Sequence, residues 1–355
     1  MYDLKTLGWN SFFEKEFEPY KDLGHEAGRV ALEYQGIYRV FTDGGELLAE
    51  VTGKLRFLAR QRADFPAVGD WVALSRNVSE NRASIHAILP RFSKFSRKAA
   101  GEAAEEQIVA TNVDTIFLVQ GLDKNYNLRR IERYLALAQE SGSRPVIILT
   151  KADLSENAEQ LSREVMKVAP GVPVHVISSK LNQGLDPLYQ YLGAGLTIGF
   201  IGSSGVGKST LINRLLGKEQ QKTQEVREED SKGRHTTVHR ELIVLPRGGL
   251  LIDTPGMREL QLWDVGEGLA DTFSDVETFA RDCYFGDCKH ENEPDCAVKA
   301  AVAEGMLDAS RLESYKNLQR EKERQRSRQD TKPQLSRKEK TKMMNKTFGR
   351  SKPRR

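Results

Sequence analysis

The stretch Gly202-Ser203-Ser204-Gly205-Val206-Gly207-Lys208-Ser209-Thr210 decides the fold. It sets a glycine four residues ahead of Gly-Lys-Ser, follows the apolar run Leu196 to Ile201, and opens the helix-like run Lys208 to Leu216. A strand feeding a glycine-rich turn and then a helix is the frame of a phosphate-binding loop. Glycines let backbone N–H groups turn inward and approach phosphate oxygens with no Cβ in the way, and the helix amino terminus adds its positive end. In such a loop Lys208 reaches the β- and γ-phosphates of a nucleoside triphosphate, and the Ser209 hydroxyl ligates Mg²⁺.

Strand and helix patterns alternate on both sides of this loop. Asp114 to Gln120 (DTIFLVQ) reads as a buried strand, and Asn127 to Gln139 puts Leu128, Ile131, Leu135 and Ala138 on one helical face. Strands Val146 to Leu149 and Val172 to Ile177, helices Ser155 to Val168 and Leu185 to Leu192, and strands Glu241 to Leu245 and Leu250 to Asp253 complete the set. Apolar strands alternating with amphipathic helices predict a parallel sheet covered on both faces.

The base is chosen elsewhere. Thr150-Lys151-Ala152-Asp153 follows a strand and ends in a carboxylate able to accept from guanine N1–H and N2–H₂, groups that adenine lacks. The Lys151 stem would lie over the base plane, and Ser178-Ser179-Lys180, after the next strand, would complete the pocket. In Asp253-Thr254-Pro255-Gly256 the aspartate would hold Mg²⁺ through water and the Gly256 N–H would sense the γ-phosphate. The polar stretch before it ends in Gly233-Arg234-His235-Thr236-Thr237, where a threonine would join Mg²⁺ only when the γ-phosphate is present. Thr237 is preferred to Thr236 with little to separate them. Met257 stands where many GTPases carry a water-orienting glutamine, so intrinsic hydrolysis is expected to be slow; His235, swinging in as its loop orders, is the expected substitute.

The three cysteines fall together in Cys283-x₄-Cys288-x-His290-x₅-Cys296. Three thiolates and one imidazole make a closed tetrahedral Zn²⁺ site, structural because no position stays open for water. An odd cysteine number argues against a disulfide framework. Toward the amino terminus, residues 1–27 have no clear period and read as an extension packing on the next unit. From Gly28 to Lys98, β-like runs including Leu55-Arg56-Phe57 alternate with turns such as Asp43-Gly44-Gly45. They suit a small barrel of the oligonucleotide-binding (OB) type, or another small β-barrel equally well. Gly101 to Gln107 reads as a small-residue connector.

Net charge is +4, but Arg311 to Arg355 alone carries 17 Lys or Arg against 5 Asp or Glu, leaving −8 on the rest. A cationic tail, helix-permissive from Asp308 to Arg328 and disordered by composition beyond Ser336, suits binding along RNA phosphates. No apolar run is long enough to cross a bilayer and the amino terminus lacks the layout of a signal peptide, so a cytoplasmic location is expected.

The motif order is base motif, second base motif, phosphate loop, threonine loop, Asp-Thr-Pro-Gly; an ordinary GTPase starts with the phosphate loop. With a β-barrel before and a cysteine cluster after, the chain resembles the circularly permuted small-ribosomal-subunit-dependent GTPase family over residues 28–310. The resemblance implies a GTPase that binds the 30S subunit and 16S rRNA, hydrolyses GTP when stimulated by that subunit, and assists late subunit maturation as a monomer, with one structural Zn²⁺ and Mg²⁺ carried with GTP. Catalysis would fall to Lys208, Thr237 and His235. The expected division is an extension (1–27), an OB-type barrel (28–108), a permuted GTPase domain (109–268), a zinc-binding helical module (269–320) and a basic tail (321–355). Thr150 departs from the asparagine usual there, which predicts one weaker supporting hydrogen bond. Two other readings remain: an RNA-binding translation regulator holding GTP as a structural ligand, and a phosphate-loop ATPase or kinase, against which Asp153 argues.

Overall fold

Short alternating runs bounded by turns fold into five strands, β1 (Glu26–Tyr34), β2 (Ile37–Thr42), β3 (Gly45–Val51), β4 (Trp71–Asn77) and β5 (Arg82–Ile88), in a computed structural model that describes residues 2–77, 82–98, 106–217, 240–253 and 266–330. β1 pairs antiparallel with both β2 and β4, β2 with β3, and β4 with β5, while β3 runs parallel to β5 and closes the ring. This is the partly parallel order of an OB barrel, which settles the choice among small barrels. Val30, Tyr38, Val40, Leu47, Val72, Leu74 and Ile85 fill it.

Leu55-Arg56-Phe57, expected as a strand, instead lies in a short helix, α2 (Gly53–Leu58). Thr52 caps it by accepting from the Leu55 N–H, and that local cap outweighs the β-like look of three residues. The amino-terminal stretch contains a helix, α1 (Ser11–Lys21), started by Asn10, whose side chain accepts from the Phe12 and Phe13 amides. Phe13 and Phe17 are buried, and Trp9 meets the wholly buried Trp71 edge-on at 4.8 Å. Arg29, 1% exposed, joins three segments by donating to the carbonyls of Leu7, Gly69 and Asn112. Burial lowers its pKa to about 10 against the opposing pull of Asp114 and Asp70; three carbonyl acceptors make that burial tolerable.

A ribbon of β6 (Lys94–Lys98) and β7 (Glu106–Thr111) leads out of the barrel. Strand structure therefore claims Glu106 and Gln107, the end of the expected connector. The next unit comprises β8 (Thr115–Gly121), α3 (Leu128–Ser141), β9 (Arg144–Thr150), α4 (Ala158–Val168), β10 (Val174–Val176), β11 (Thr197–Ile201), α5 (Lys208–Leu216), β12 (Glu241–Val244) and β13 (Leu250–Asp253). The stretch 185–192, expected as a helix, forms only a 3₁₀ segment over Asp186–Tyr191. The strands lie in the order β10-β9-β8-β11-β13-β12, parallel except for β12, which runs antiparallel beside β13. Every residue of β8 and β11 is buried, as a sheet covered on both faces requires. At the β12 edge, Glu241 pairs with Leu32 of β1 and takes an ion pair from Arg39, so the ladder runs on into the barrel.

The carboxy-terminal module is helical: α6 (Gly266–Thr272), α7 (Ser274–Ala280), α8 (Ala297–Ala303) and α9 (Ala309–Asp330). α6 lies tightly on α3; a Cβ on Gly268 would meet the Ala136 carbonyl and come within 2.8 Å of the Glu140 nitrogen. α9 continues ten residues past the expected start of the tail at 321, and residues 331–355 lie outside the described residues.

Candidate nucleotide and metal sites

The phosphate loop spans the gap between β11 and α5 as expected. Gly202 lies so near the Val119 carbonyl that a Cβ would sit 2.5 Å from it, and Gly207 takes φ +97 where the loop turns into the helix. Val206 is fully buried and pins the loop from below, while Ser203, Ser204, Gly205, Ser209 and Thr210 stay partly open. The Lys208 ammonium crosses the loop to donate to the carbonyls of Gly202 at 2.5 Å and Ser203 at 2.6 Å, which holds its charge against the loop.

Both base motifs are tied to this loop. Thr150 ends β9, and its hydroxyl donates to the Val206 carbonyl, so threonine supplies a bond between base motif and phosphate loop despite replacing asparagine. Lys151 takes φ +60, a conformation uncommon for a side-chain-bearing residue, and its ammonium is held 2.6 Å from Asp123, two residues past the end of β8. Burial raises the Asp123 pKa, but the hydrogen bonds from Lys151 and the Asn125 N–H outweigh it and leave the pKa lowered. Ala152 N–H donates to Ile177 O, and Asp153 accepts from the Ser178 hydroxyl at 2.6 Å. Arg214 on α5 donates to the carbonyls of Ser179 at 2.9 Å and Lys180 at 3.3 Å. Asp153 is therefore tied to Ser178, and the residues after Ser178 are tied through Arg214 to the helix that follows the phosphate loop. Removing only the loop tie, by Thr150→Val, should weaken GTP binding about five- to tenfold, the worth of roughly one net hydrogen bond of ~1 kcal/mol; equilibrium titration with a fluorescent GTP analogue would measure it, and an unchanged affinity would refute it.

Asp253 ends β13, the neighbour of β11, and Ser209 lies in the first turn of α5, which follows β11, so a hydroxyl and a carboxylate stand on adjacent elements. Such oxygen donors suit Mg²⁺. His235, Thr236, Thr237, Gly256 and Met257 lie outside the described residues. Three participants escaped sequence reading: Asp123, Arg214, and Arg130 of α3, which donates to the Ser203 hydroxyl at 3.1 Å and to the Asn125 carbonyl at 3.2 Å.

The expected metal ligands meet as well. The donor atoms of Cys283, Cys288, His290 and Cys296 all lie within 4.8 Å of one another. Cys283 Sγ is 3.9 Å from Cys296 Sγ and 3.7 Å from His290 Nδ1, and the last pair is 3.4 Å apart. Sulfurs around an ion at ~2.3 Å in a tetrahedron are about 3.8 Å apart, so the spacing fits a metal. Burial opposes ionisation of Cys283, yet the backbone N–H groups of Val298 and Ala297 lower its pKa. Burial, then Lys316, lower that of His290, favouring the neutral imidazole that ligates metals. Mutual crowding of these acids is what a cation would relieve.

Comparison with known proteins agrees with this geometry. The family model described as RsgA GTPase matches residues 88–263. A protein of Opitutus terrae, "Small ribosomal subunit biogenesis GTPase RsgA", is 48% identical over 90% of this chain and 89% of its own length. The chain belongs to the RsgA GTPase family. It is a GTP hydrolase with permuted motif order. A second relative bearing that family name, from Lactiplantibacillus plantarum, is 50% identical over 85% of this chain and 84% of its own. Among solved structures, YjeQ from Thermotoga maritima superposes with TM-score 0.62 at 26% identity, covering 84% of this chain and 98% of that one. YloQ, described as a circularly permuted GTPase, gives 0.59 at 26% identity, covering 88% and 97%. An ABC transporter model also matches residues 185–344. That span holds the phosphate loop common to many nucleotide-binding proteins but omits the base motif at 150–153, so it does not bear on the choice of base. Among the described residues no helix is long and apolar enough to cross a membrane.

Proposed function

We propose that this GTPase serves late maturation of the small (30S) ribosomal subunit, binding it through 16S rRNA and hydrolysing GTP when stimulated by it. The observation that carries the reading is near 50% identity, over most of both chains, to relatives named for small-subunit biogenesis. The OB barrel, a frequent oligonucleotide-binding form, supports it, as does the +12 charge of the last 45 residues. Turnover of GTP across titrations of purified 30S and 50S particles is the test. Stimulation confined to 30S is expected, and a flat response to both would remove the reading in favour of an RNA-binding regulator holding GTP structurally.

In the proposed site Asp153 reads guanine, with Thr150, Lys151, Ala152, Ser178, Ser179 and Lys180 framing the base. Residues 202–210 cradle the phosphates, Lys208 neutralises developing charge, and Ser209, Asp253 and Thr237 serve Mg²⁺. His235 orients the attacking water. His235→Ala should cut subunit-stimulated turnover about a hundredfold, the low end for a side chain assisting at the reacting water; single-turnover rates within twofold of the parent would exclude it. Gly256 would report the γ-phosphate. The metal at the Cys₃His cluster is Zn²⁺: elemental analysis should find one per chain, and chelation should expose the 269–320 module to protease. A full-length chain that stays protease-resistant without metal would count against a structural zinc. The protein is read as a cytoplasmic monomer, divided at 27, 108, 268 and 320.

A further inference from the structure

Arg130 stands in the first turn of α3 with its charge uncancelled. Asn127 caps that helix by accepting from the Arg130 N–H at 3.0 Å, and no acid occupies the first turn. A cation there opposes the positive end of the helix, so the placement costs stability instead of adding to it. The flanking arginines of α3 are neutralised: Arg129 pairs with Glu132 at 2.7 Å and Arg133 with Glu321 at 2.8 Å. Arg130 makes no ion pair among the described residues. Its Nη1 instead donates to the Ser203 hydroxyl of the phosphate loop at 3.1 Å and to the Asn125 carbonyl at 3.2 Å.

The aim of this side chain is fixed by its surroundings. β8 and β11 pair in parallel, so the loops that leave their carboxy ends lie side by side. Gln120 of β8 donates to the Asn125 carbonyl as well, at 2.7 Å, which steadies the loop that carries Arg130. Ser203 is thereby gripped twice, on its hydroxyl by Arg130 and on its carbonyl by Lys208 at 2.6 Å. The lysine of a phosphate loop serves the β- and γ-phosphates. Ser203, and the guanidinium bonded to it, therefore stand at that end of the loop. Among the described residues only Nη1 of this guanidinium has a partner, although the group carries five N–H donors. A cation already locked in place stabilises charge growing on phosphoryl oxygens with no reorganisation at the moment of reaction.

We propose that Arg130 is a positioning residue for GTP hydrolysis: through the Ser203 hydroxyl it sets the β/γ end of the phosphate loop and keeps a second positive charge there beside that of Lys208, favouring the triphosphate and its transition state over the diphosphate. This rests on residues 202–210 holding the phosphates and is independent of the ribosomal partner. The zinc-loaded full chain is compared, without subunits, with Arg130→Met, Arg130→Lys, Ser203→Ala and the double variant Arg130→Met/Ser203→Ala. Arg130→Met should slow single-turnover hydrolysis at saturating GTP about tenfold and weaken binding of a non-hydrolysable GTP analogue about tenfold, the worth of roughly one hydrogen bond from a charged group. GDP affinity should change by less than about twofold. Arg130→Lys keeps the charge and a donor, so it should restore most of both losses. The double variant should be no slower than Arg130→Met, because either change breaks the same contact; losses that multiply would show that Arg130 does not act through Ser203. The melting temperature of Arg130→Met should hold or rise, since a cation leaves the positive end of α3. A lowered melting temperature with equal losses for GTP and GDP would mark a purely structural arginine and overturn the assignment. Lys208→Ala separates the two levels of failure. If that variant keeps parental GTP affinity, the reading of the phosphate loop fails. If it loses GTP while Arg130→Met hydrolyses within about twofold of the parent, only the role of Arg130 fails.

Discussion

Asp153→Asn should weaken GTP binding by two to four orders of magnitude while xanthosine triphosphate gains what guanosine loses. The carboxylate stands to accept from two guanine donors, and hydrogen bonds to a charged group contribute about 1.5–3 kcal/mol each, so the pair amounts to about 3–6 kcal/mol. The amide turns a donor toward guanine N1–H or N2–H₂, leaving donors facing donors. Xanthine carries a carbonyl at that position and accepts from the same amide. Folding should survive, because the Asn oxygen can still accept from Ser178, whose hydroxyl now bonds Asp153 at 2.6 Å. Titration with both nucleotides, beside a melting curve, separates the outcomes; a variant that keeps GTP affinity within threefold would mean that Asp153 does not read the base.

Arg311→Met is expected to cost about 3–5 kcal/mol of stability, the usual penalty for stripping one partner from buried charges. Arg311, 7% exposed, lies under the helical module and over α3. It donates to Asp275 at 2.5 and 2.9 Å, to Glu132 at 2.8 Å and to the Thr272 carbonyl at 2.7 Å, with its guanidinium 4.7 Å from the Phe273 ring centre. The Glu132 side chain is wholly buried, so after the substitution only Arg129 remains to balance it. Urea unfolding measures the loss. Adding Glu132→Leu should recover part of it, since an apolar pair replaces a broken ionic one. A single-variant loss below about 1 kcal/mol would show that water reaches and rescues the orphaned carboxylate.

What could be read from the sequence was what local geometry encodes. The phosphate loop, Thr150 to Asp153, Ser178 to Lys180 and the Cys₃His cluster each sit at a strand end or in one tight turn, where residue type and spacing alone fix the chemistry. Helix α2 was misread because one Thr52 hydroxyl bond, absent from any periodicity, decides between helix and strand over six residues. Asp123 and Arg130 carry no spacing signal; they matter because β8 lies between β9 and β11 and delivers its following loop to the phosphate loop. Arg311 and Glu132, 179 residues apart, meet only after the helical module folds onto α3. Pairings across such distances are set by packing, which a one-dimensional pattern does not carry.

Contact between Leu32 and Glu241 has a bearing on solubility as well as on architecture. One rim of the nucleotide-domain sheet ends in β10, three residues long and too brief to recruit another chain. The opposite rim, β12, meets the barrel at its first residue, where Glu241 pairs with Leu32 and that end of the strand is covered. Cut free of the barrel, the nucleotide domain would present an open row of amides and carbonyls inviting self-association. The barrel thus also guards its neighbour against aggregation.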